Sequence, residues 1–457
     1  MPPDCLRVEH QLMEPRIIPR SQHPISRRQI DPDALKVLYR LHRHGRIAYL
    51  VGGSVRDLLL GGTPKDFDIV TDAHPGEVKK LFRNSWIVGR RFRLVHVVFG
   101  RERKVVEVAT FRAKSEIEPP ADPGRDARSP AAVAAHPGTK KVPARTGGGL
   151  LVTWENTFGT PEEDARRRDL SINGLFYDID TFAIIDYVGG LKDIEKRLVR
   201  AIGDADIRFQ EDPVRMMRAI KFSARLDLRI EKETRAALFR QAAGISLSAA
   251  PRVMEEIYRL LESGCAETSF RLLHETGLLL HLIPEIMPLA DHQQGFFWPN
   301  LRELDRMVKA GVEEVTRAVE MAVLLDGLVR PLLTSSSTGG EGIGERVHEI
   351  IKPIAMRLRM TRADTAKVIQ MLIAQRHLLR PHGRRFSMAG FVRRGYFPGA
   401  YQILRIHAAV TGKHEEVLKK WEERIKAVRE GGESGQEGQV VATGRKRRRR
   451  RRRRPTS

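Results

Sequence analysis

Hydrophobic positions along this chain follow two different periods, and the change falls near Leu198. Before it, short apolar runs dominate: Ile47–Val51, the stretch around Phe67, Ile69 and Val70, two runs within Ile87–Gly100, then Lys104–Phe111, Leu175–Ile179 and Ala183–Tyr187. Runs of this length bounded by glycine and polar clusters predict strands. Helices interleave with them. Ala34, Val37, Leu38 and Leu41 recur at helical spacing within Asp33–His44, where Asp31 or Asp33 can cap and Gly45 ends the helix. His74–Phe82 reads as a second helix, and Thr160 with Glu163 and Pro161 forms a capping box that opens a third. Gly189-Gly190 leads into one containing Asp193. After Leu198 the helical period takes over: Asp212–Leu226, Glu231–Ala243, Pro251–Leu261, Ala266–Leu280 and Thr361–Leu379. The pattern predicts an α+β protein, β-rich up to about residue 200 and helical beyond it.

Composition breaks divide the chain further. Residues 1–30 are polar and proline-punctuated and read as an N-terminal extension. The β-rich part spans 31–200, and the helical part falls into 201–290 and 291–430. Residues 113–156 are rich in proline, glycine and alanine, as a mobile loop is. Thr334–Gly344 reads as a flexible insertion and Gly431–Gly444 as a linker. The linker opens the last segment, 431–457, whose unbroken basic run begins Arg445-Lys446-Arg447 and ends at Arg454. Such a run cannot pack and predicts a disordered arm for nucleic acid.

Charge narrows the partner. The net charge is +23 over 457 residues, and the ten basic residues of the tail leave +13 on the rest. A polyanionic partner is implied. Two cysteines, Cys5 and Cys265, argue for a reducing cytoplasm and against a disulfide framework or a zinc site. No apolar run approaches a membrane span.

The stretch YLVGGSVRDLLLGGTPKDFDIV, Tyr49–Val70, carries the chemistry. Gly52 and Gly53 let backbone N–H groups approach an anion, and Ser54 can cap the helix whose positive end faces it. Asp66 and Asp68, two apart on a strand, place both carboxylates on one face about 6–7 Å apart at the Cα level. Carboxylates beside a phosphate cradle suit Mg²⁺, and paired metals serve polymerases. With Arg56 and Asp57 between, these residues resemble the head of the class II nucleotidyltransferases, the family of bacterial poly(A) polymerases and CCA-adding enzymes.

The resemblance runs from about residue 33 to 285 and implies a small mixed-sheet nucleotidyltransferase head over 31–200, followed by an all-helical neck over 201–290 and body over 291–430. The run Gly-Arg-Arg-Phe-Arg-Leu-x-His, with Arg90, Arg91 and Arg93, is similar to a pattern that marks the poly(A) polymerases and that CCA-adding enzymes generally lack. Arg167-Arg168-Asp169 with Asn173 resembles the motif that contacts ribose and triphosphate. Glu211-Asp212-x-x-Arg215 puts Asp212 and Arg215 at i, i+3 on one helix; spacing alone reads as an ion pair, whereas the resemblance makes it the reader of the incoming base, continued by Arg218 and Phe222. It also implies two Mg²⁺ ions on Asp66 and Asp68, with Mn²⁺ as a substitute. Either Glu107 or Asp169 is the third carboxylate. The implied reaction adds adenylate from ATP to RNA 3′ ends with release of pyrophosphate, in RNA polyadenylation and turnover, with RNA-decay proteins as partners. The rivals are a CCA-adding enzyme and a non-catalytic RNA-binding protein; both aspartates being present weighs against the second.

Overall fold

In the computed structural model, residues 14–89, 93–101, 103–113, 158–334, 342–379 and 386–433 are described. All but the first residue of the expected loop at 113–156, most of the insertion at 334–344, Arg90, Arg91 and the basic tail lie outside them.

Eight strands form the head sheet. In chain order come β1 (Arg16–Ile18), α1 (Pro32–Arg43), β2 (Ala48–Val51), α2 (Gly53–Leu59), β3 (Asp68–Thr71), α3 (Pro75–Leu81), β4 (Ser85–Val88), β5 (Leu94–Phe99) and β6 (Lys104–Thr110). After the undescribed stretch follow α4 (Pro161–Arg167), β7 (Leu175–Asp178), β8 (Ile184–Asp186) and α5 (Gly190–Glu195). The spatial order is β1-β8-β7-β2-β3-β6-β5-β4, and β3 with β6 is its parallel pair.

One face of this sheet is closed. Ala34, Val37, Leu38 and Leu41 of α1 are buried against Leu50, Ile69, Val95, Val97, Val106 and Val108. Asp31 caps α1, accepting hydrogen bonds from the Asp33 and Ala34 amides at 2.9 and 3.2 Å. The other face is closed only in part, where Val51, Val70, Phe111, Phe176 and Ile185 pack with Ala165 of α4. The Thr160–Glu163 capping box at the start of α4 is present.

The N-terminal extension is corrected by the structure. Residues from 14 onward are part of the head: β1 pairs antiparallel with β8, and Ile18, Ile25 and Ile30 are buried. A three-residue strand between Pro15 and Pro19 is too short to show a period, and prolines at an edge strand mimic punctuation.

A two-stranded parallel clip, β9 (Leu198–Val199) with β10 (Arg229–Ile230), marks the passage to the neck. The neck helices are α6 (Ala205–Glu211), α7 (Val214–Leu226), α8 (Lys232–Gln241), α9 (Ala250–Leu261), α10 (Ala266–Glu275) and α11 (Leu278–Leu282). Two expected boundaries move. Asp212 does not begin a helix: it is extended, at φ −150° and ψ 92°, because Pro213 disfavours helical backbone before it. The helix expected at Ala266–Leu280 breaks at Gly277, which has φ +76°.

The body continues through α12 (Met287–Asp291), α13 (Phe297–Lys309), α14 (Arg317–Thr334), α15 (Ile343–Arg357), α16 (Arg362–Leu379), α17 (Met388–Val392), α18 (Phe397–Thr411) and α19 (Glu415–Glu433). It shares one core with the neck, from Met216 through Trp298 to Trp421. Helix α19 runs three residues into the expected linker. Among the described residues no helix is long and apolar enough to cross a membrane.

Candidate active site

The glycine turn links the end of β2 to α2. Gly52 has φ +71°, and a Cβ there would lie 3.3 Å from Nη1 of Arg168. Glycine is therefore required twice, for the left-handed backbone and for the approach of this guanidinium. Ser54 does not cap α2, contrary to expectation. Gly52 occupies the cap position without a side-chain bond, and the buried Ser54 hydroxyl donates back to the Val51 carbonyl at 3.1 Å.

Three carboxylates lie within electrostatic reach of one another at the open half of the sheet. Strand β3 begins at Asp68, with Asp66 exposed just before it rather than inside the strand. The pairing of Ile69 with Val108 sets Asp68 beside Glu107 when continued by one residue. Solvent reaches Asp68, yet protein crowds its carboxylate from the sheet side. That partial burial, with the charges of Glu107 and Asp66, outweighs the attraction of Arg168 and lifts the Asp68 pKa from 3.8 to about 6. Glu107 also lies 3.3 Å from Nε2 of His96 on β5. Among the described residues no three His, Cys, Asp or Glu side chains form a cage. Exposed oxygen donors with surplus negative charge fit a cation that keeps water and substrate phosphates in its shell, as Mg²⁺ does.

Asp169 sits differently. Its carboxylate accepts from Arg218 at 2.5 Å, from Asn173 at 3.1 Å and from the Leu170 amide at 2.9 Å. Burial alone would raise its pKa, but Arg218 and these hydrogen bonds hold it far below the carboxylate range. It is an anion matched within the protein by Arg218, whereas Glu107 lies beside the Asp68 carboxylate. Arg218 is raised in turn, chiefly by Asp169.

Asp164 carries no signal in the sequence beyond its charge, yet it aims two arginines. Fully buried, it receives Arg167 at 2.8 Å through one oxygen and Arg168 at 2.9 Å through the other. Arg208 adds hydrogen bonds to the carbonyls of both arginines, at 2.5 and 2.6 Å. Only a three-dimensional arrangement makes Asp164 and Arg208 visible as positioning residues.

Arg56 is buried, with 2% exposure. It pairs with Asp57 at 2.7 Å, donates to the Asn173 side-chain carbonyl and lies 4.5 Å from the Phe222 ring centroid. The expected nucleotide contact is thus an internal tie between head and neck. Asp57 continues it to Arg225 of α7 at 2.9 Å. Asp212 and Arg215 do not share a helix face: Asp212 pairs with Arg252 of α9 at 2.8 Å and Arg215 with Glu211 at 3.1 Å. Arg93 is exposed after β4; Arg90, Arg91, Arg445, Lys446 and Arg447 lie outside the described residues.

Known proteins resemble the chain in these same parts. Residues 48–200 match the family model described as Poly A polymerase head domain. Residues 227–289 match one described as a probable RNA and SrmB-binding site of polymerase A. Poly(A) polymerase I of Salmonella typhi is 45% identical over 270 residues, 59% of this chain and 54% of that protein. Poly(A) polymerase I of Haemophilus influenzae is 38% identical over 283 residues, 62% and 58% of the two chains. The CCA-adding enzyme of Geobacillus thermodenitrificans is 37% identical over 249 residues, 54% of each chain. The chain therefore matches a little over half the length of these curated relatives. The crystal structure of Bacillus stearothermophilus CCA-adding enzyme in complex with CTP aligns with a TM-score of 0.60 at 25% identity, covering 87% of this chain and 83% of that one. The expected architecture of mixed-sheet head and helical neck and body is the one observed.

Proposed function

We propose that this chain, whose head and neck resemble those of the poly(A) polymerases and CCA-adding enzymes, is a template-independent polynucleotide adenylyltransferase. It adds adenylate from ATP to RNA 3′ ends and works in the cytoplasm in RNA polyadenylation and turnover. The observation that supports this most is the gathering of Asp66, Asp68 and Glu107 beside an arginine already aimed by Asp164.

In this reading the 3′-hydroxyl of RNA attacks the α-phosphate of ATP and pyrophosphate leaves. Asp66, Asp68 and Glu107 would hold Mg²⁺, which would supply Lewis-acid activation of the phosphate and of the attacking oxygen. Arg168, fixed by Asp164, neutralises phosphate oxygens over the Gly52-Gly53 turn. Asp169, with Arg218 and Asn173, fixes the floor on which the ribose rests. Asp212 and Arg215 turn from Arg252 and Glu211 to the base edge. Glu107 fits the role of third carboxylate better than Asp169, whose charge is already matched by Arg218.

The runner-up is a CCA-adding enzyme, favoured by the structural likeness. The higher identity to the poly(A) polymerases and the Arg90-Arg91-Phe92-Arg93 run weigh against it. Replacing Asp68 with Asn tests the chemistry, since it removes a ligand's charge at constant volume. Adenylate incorporation is expected to vanish while RNA binding persists. Activity within about tenfold of the wild type, only ~1.4 kcal/mol in barrier, would sink the assignment.

A further inference from the structure

We propose that the open face of the β4–β5–β6 end of the head sheet is a stacking platform for single-stranded RNA next to its reacting 3′ end. The proposal rests on the adenylyltransferase reading above and assigns a place to its polymer substrate. Sheet register carries it. Trp86 stands opposite His96, His96 stands opposite Glu107, and Glu107 lies beside Asp68 by continuation of the β3–β6 pairing. Residues in register on adjacent strands project to the same face, so these four form one row. With strands about 4.8 Å apart, the row spans roughly 14 Å from Trp86 to Asp68.

The two faces of this sheet end differ along β5 and β6, while on the edge strand β4 Ile87, on the closed side, is itself 37% exposed. On the closed side Val95, Val97, Val106 and Val108 are 1–3% exposed. On the open side Trp86 is 46% and Val105 43% exposed, and Val88, Leu94 and Val98 are half-buried beside them. An open tryptophan on a sheet offers a π-face that any nucleobase can stack on, which suits a polymer of no fixed sequence. Arg83 and Arg93, exposed at the two ends of the β4–β5 hairpin, supply positive charge for the phosphates. The face is continuous with the carboxylates at which the 3′-hydroxyl must react. A strand whose end reaches Asp68 can lay its preceding nucleotides along the row toward Trp86.

The test uses the full chain and a labelled single-stranded RNA oligomer, with binding read by fluorescence anisotropy without nucleotide. Trp86→Ala is expected to raise the RNA Kd about tenfold, the loss of one stacked base. The slope of log Kd against log salt should stay as in the wild type, because no phosphate contact is removed. Trp86→Tyr, which keeps a ring, should restore affinity to within about threefold of the wild type. In steady state the KM for primer should rise with Kd, while the KM for ATP moves less than about twofold. Wild-type RNA affinity in Trp86→Ala, as expected if a protein partner or another part of the chain covers the face, overturns the proposal. Equal losses in the Ala and Tyr variants overturn it too. Because binding is measured without nucleotide, a chain that binds RNA through Trp86 but adds no adenylate would contradict the enzymatic reading alone.

Discussion

Asp68 stands between two other carboxylates, and its pKa of about 6 reflects the cost of holding negative charge there. The sign of the resulting pH dependence follows. The folded pKa lies above the ordinary value, so the proton stabilises the folded protein at low pH, and that contribution is lost as pH rises through about 6. Asp68→Asn should therefore raise Tm without divalent metal more near pH 8 than near pH 5, because the contribution is lost progressively from the ordinary value of 3.8 up through about 6. Thermal unfolding at the two pH values checks this, and an equal shift at both would contradict the repulsion. Adding Mg²⁺ near pH 8 should stabilise the wild type and not the variant, by the linkage between binding and folding. At this scale the positive φ of Gly52 was legible, because a backbone demand is written locally, whereas the i, i+2 spacing put Asp66 inside a strand that begins only at Asp68. Asp164 and the burial of Arg56 were not legible, since each depends on contacts made only after folding. The Ser54 cap failed for a local reason: the turn residue Gly52 takes the cap position itself.

Among the elements, α7 bears the tie between head and neck. A chain of polar contacts runs from Arg218 on this helix through Asp169, Asn173, Arg56 and Asp57, and returns to α7 at Arg225. Phe222 of the same helix lies beneath Arg56. Asp57→Asn strands the buried Arg56 charge and should cost about 3 kcal/mol, as breaking one side of a buried pair does. Arg225→Ala removes a partner that is 45% exposed, and should cost less than about 1 kcal/mol. Denaturant unfolding of both variants checks the ordering, and equal losses would contradict the buried tie. Helix α1 was readable from its apolar stripe and α4 from its capping box, because both signals lie within a few residues. Strand β1 was hidden by its length, and the start of α7 was displaced by Pro213, a breaker whose effect on Asp212 the i, i+3 spacing did not show.

For the whole molecule, charge and architecture both bear on the proposed RNA substrate. Ten of the 23 excess positive charges lie in Arg445–Arg454. Deleting Arg445–Ser457 should weaken RNA binding at low salt and flatten its salt dependence, each lost phosphate contact removing about 0.7 from the slope. Affinity and slope both unchanged would assign the tail another role. The passage from sheet head to helical neck was visible in the change of hydrophobic period. The continuity of neck and body through one core was not, because long-range packing leaves no local pattern. The measurement that bears most directly on the central claim is product formation on a generic RNA primer with each nucleotide supplied singly. On the proposed reading, in which Asp212 and Arg215 read the base, a polyadenylating enzyme keeps that reader in one state, so long adenylate tails with ATP and little extension with CTP are predicted, on primers that need not be tRNA. Efficient CTP incorporation confined to tRNA ends, stopping once CCA is complete, would contradict the account and make this chain a CCA-adding enzyme.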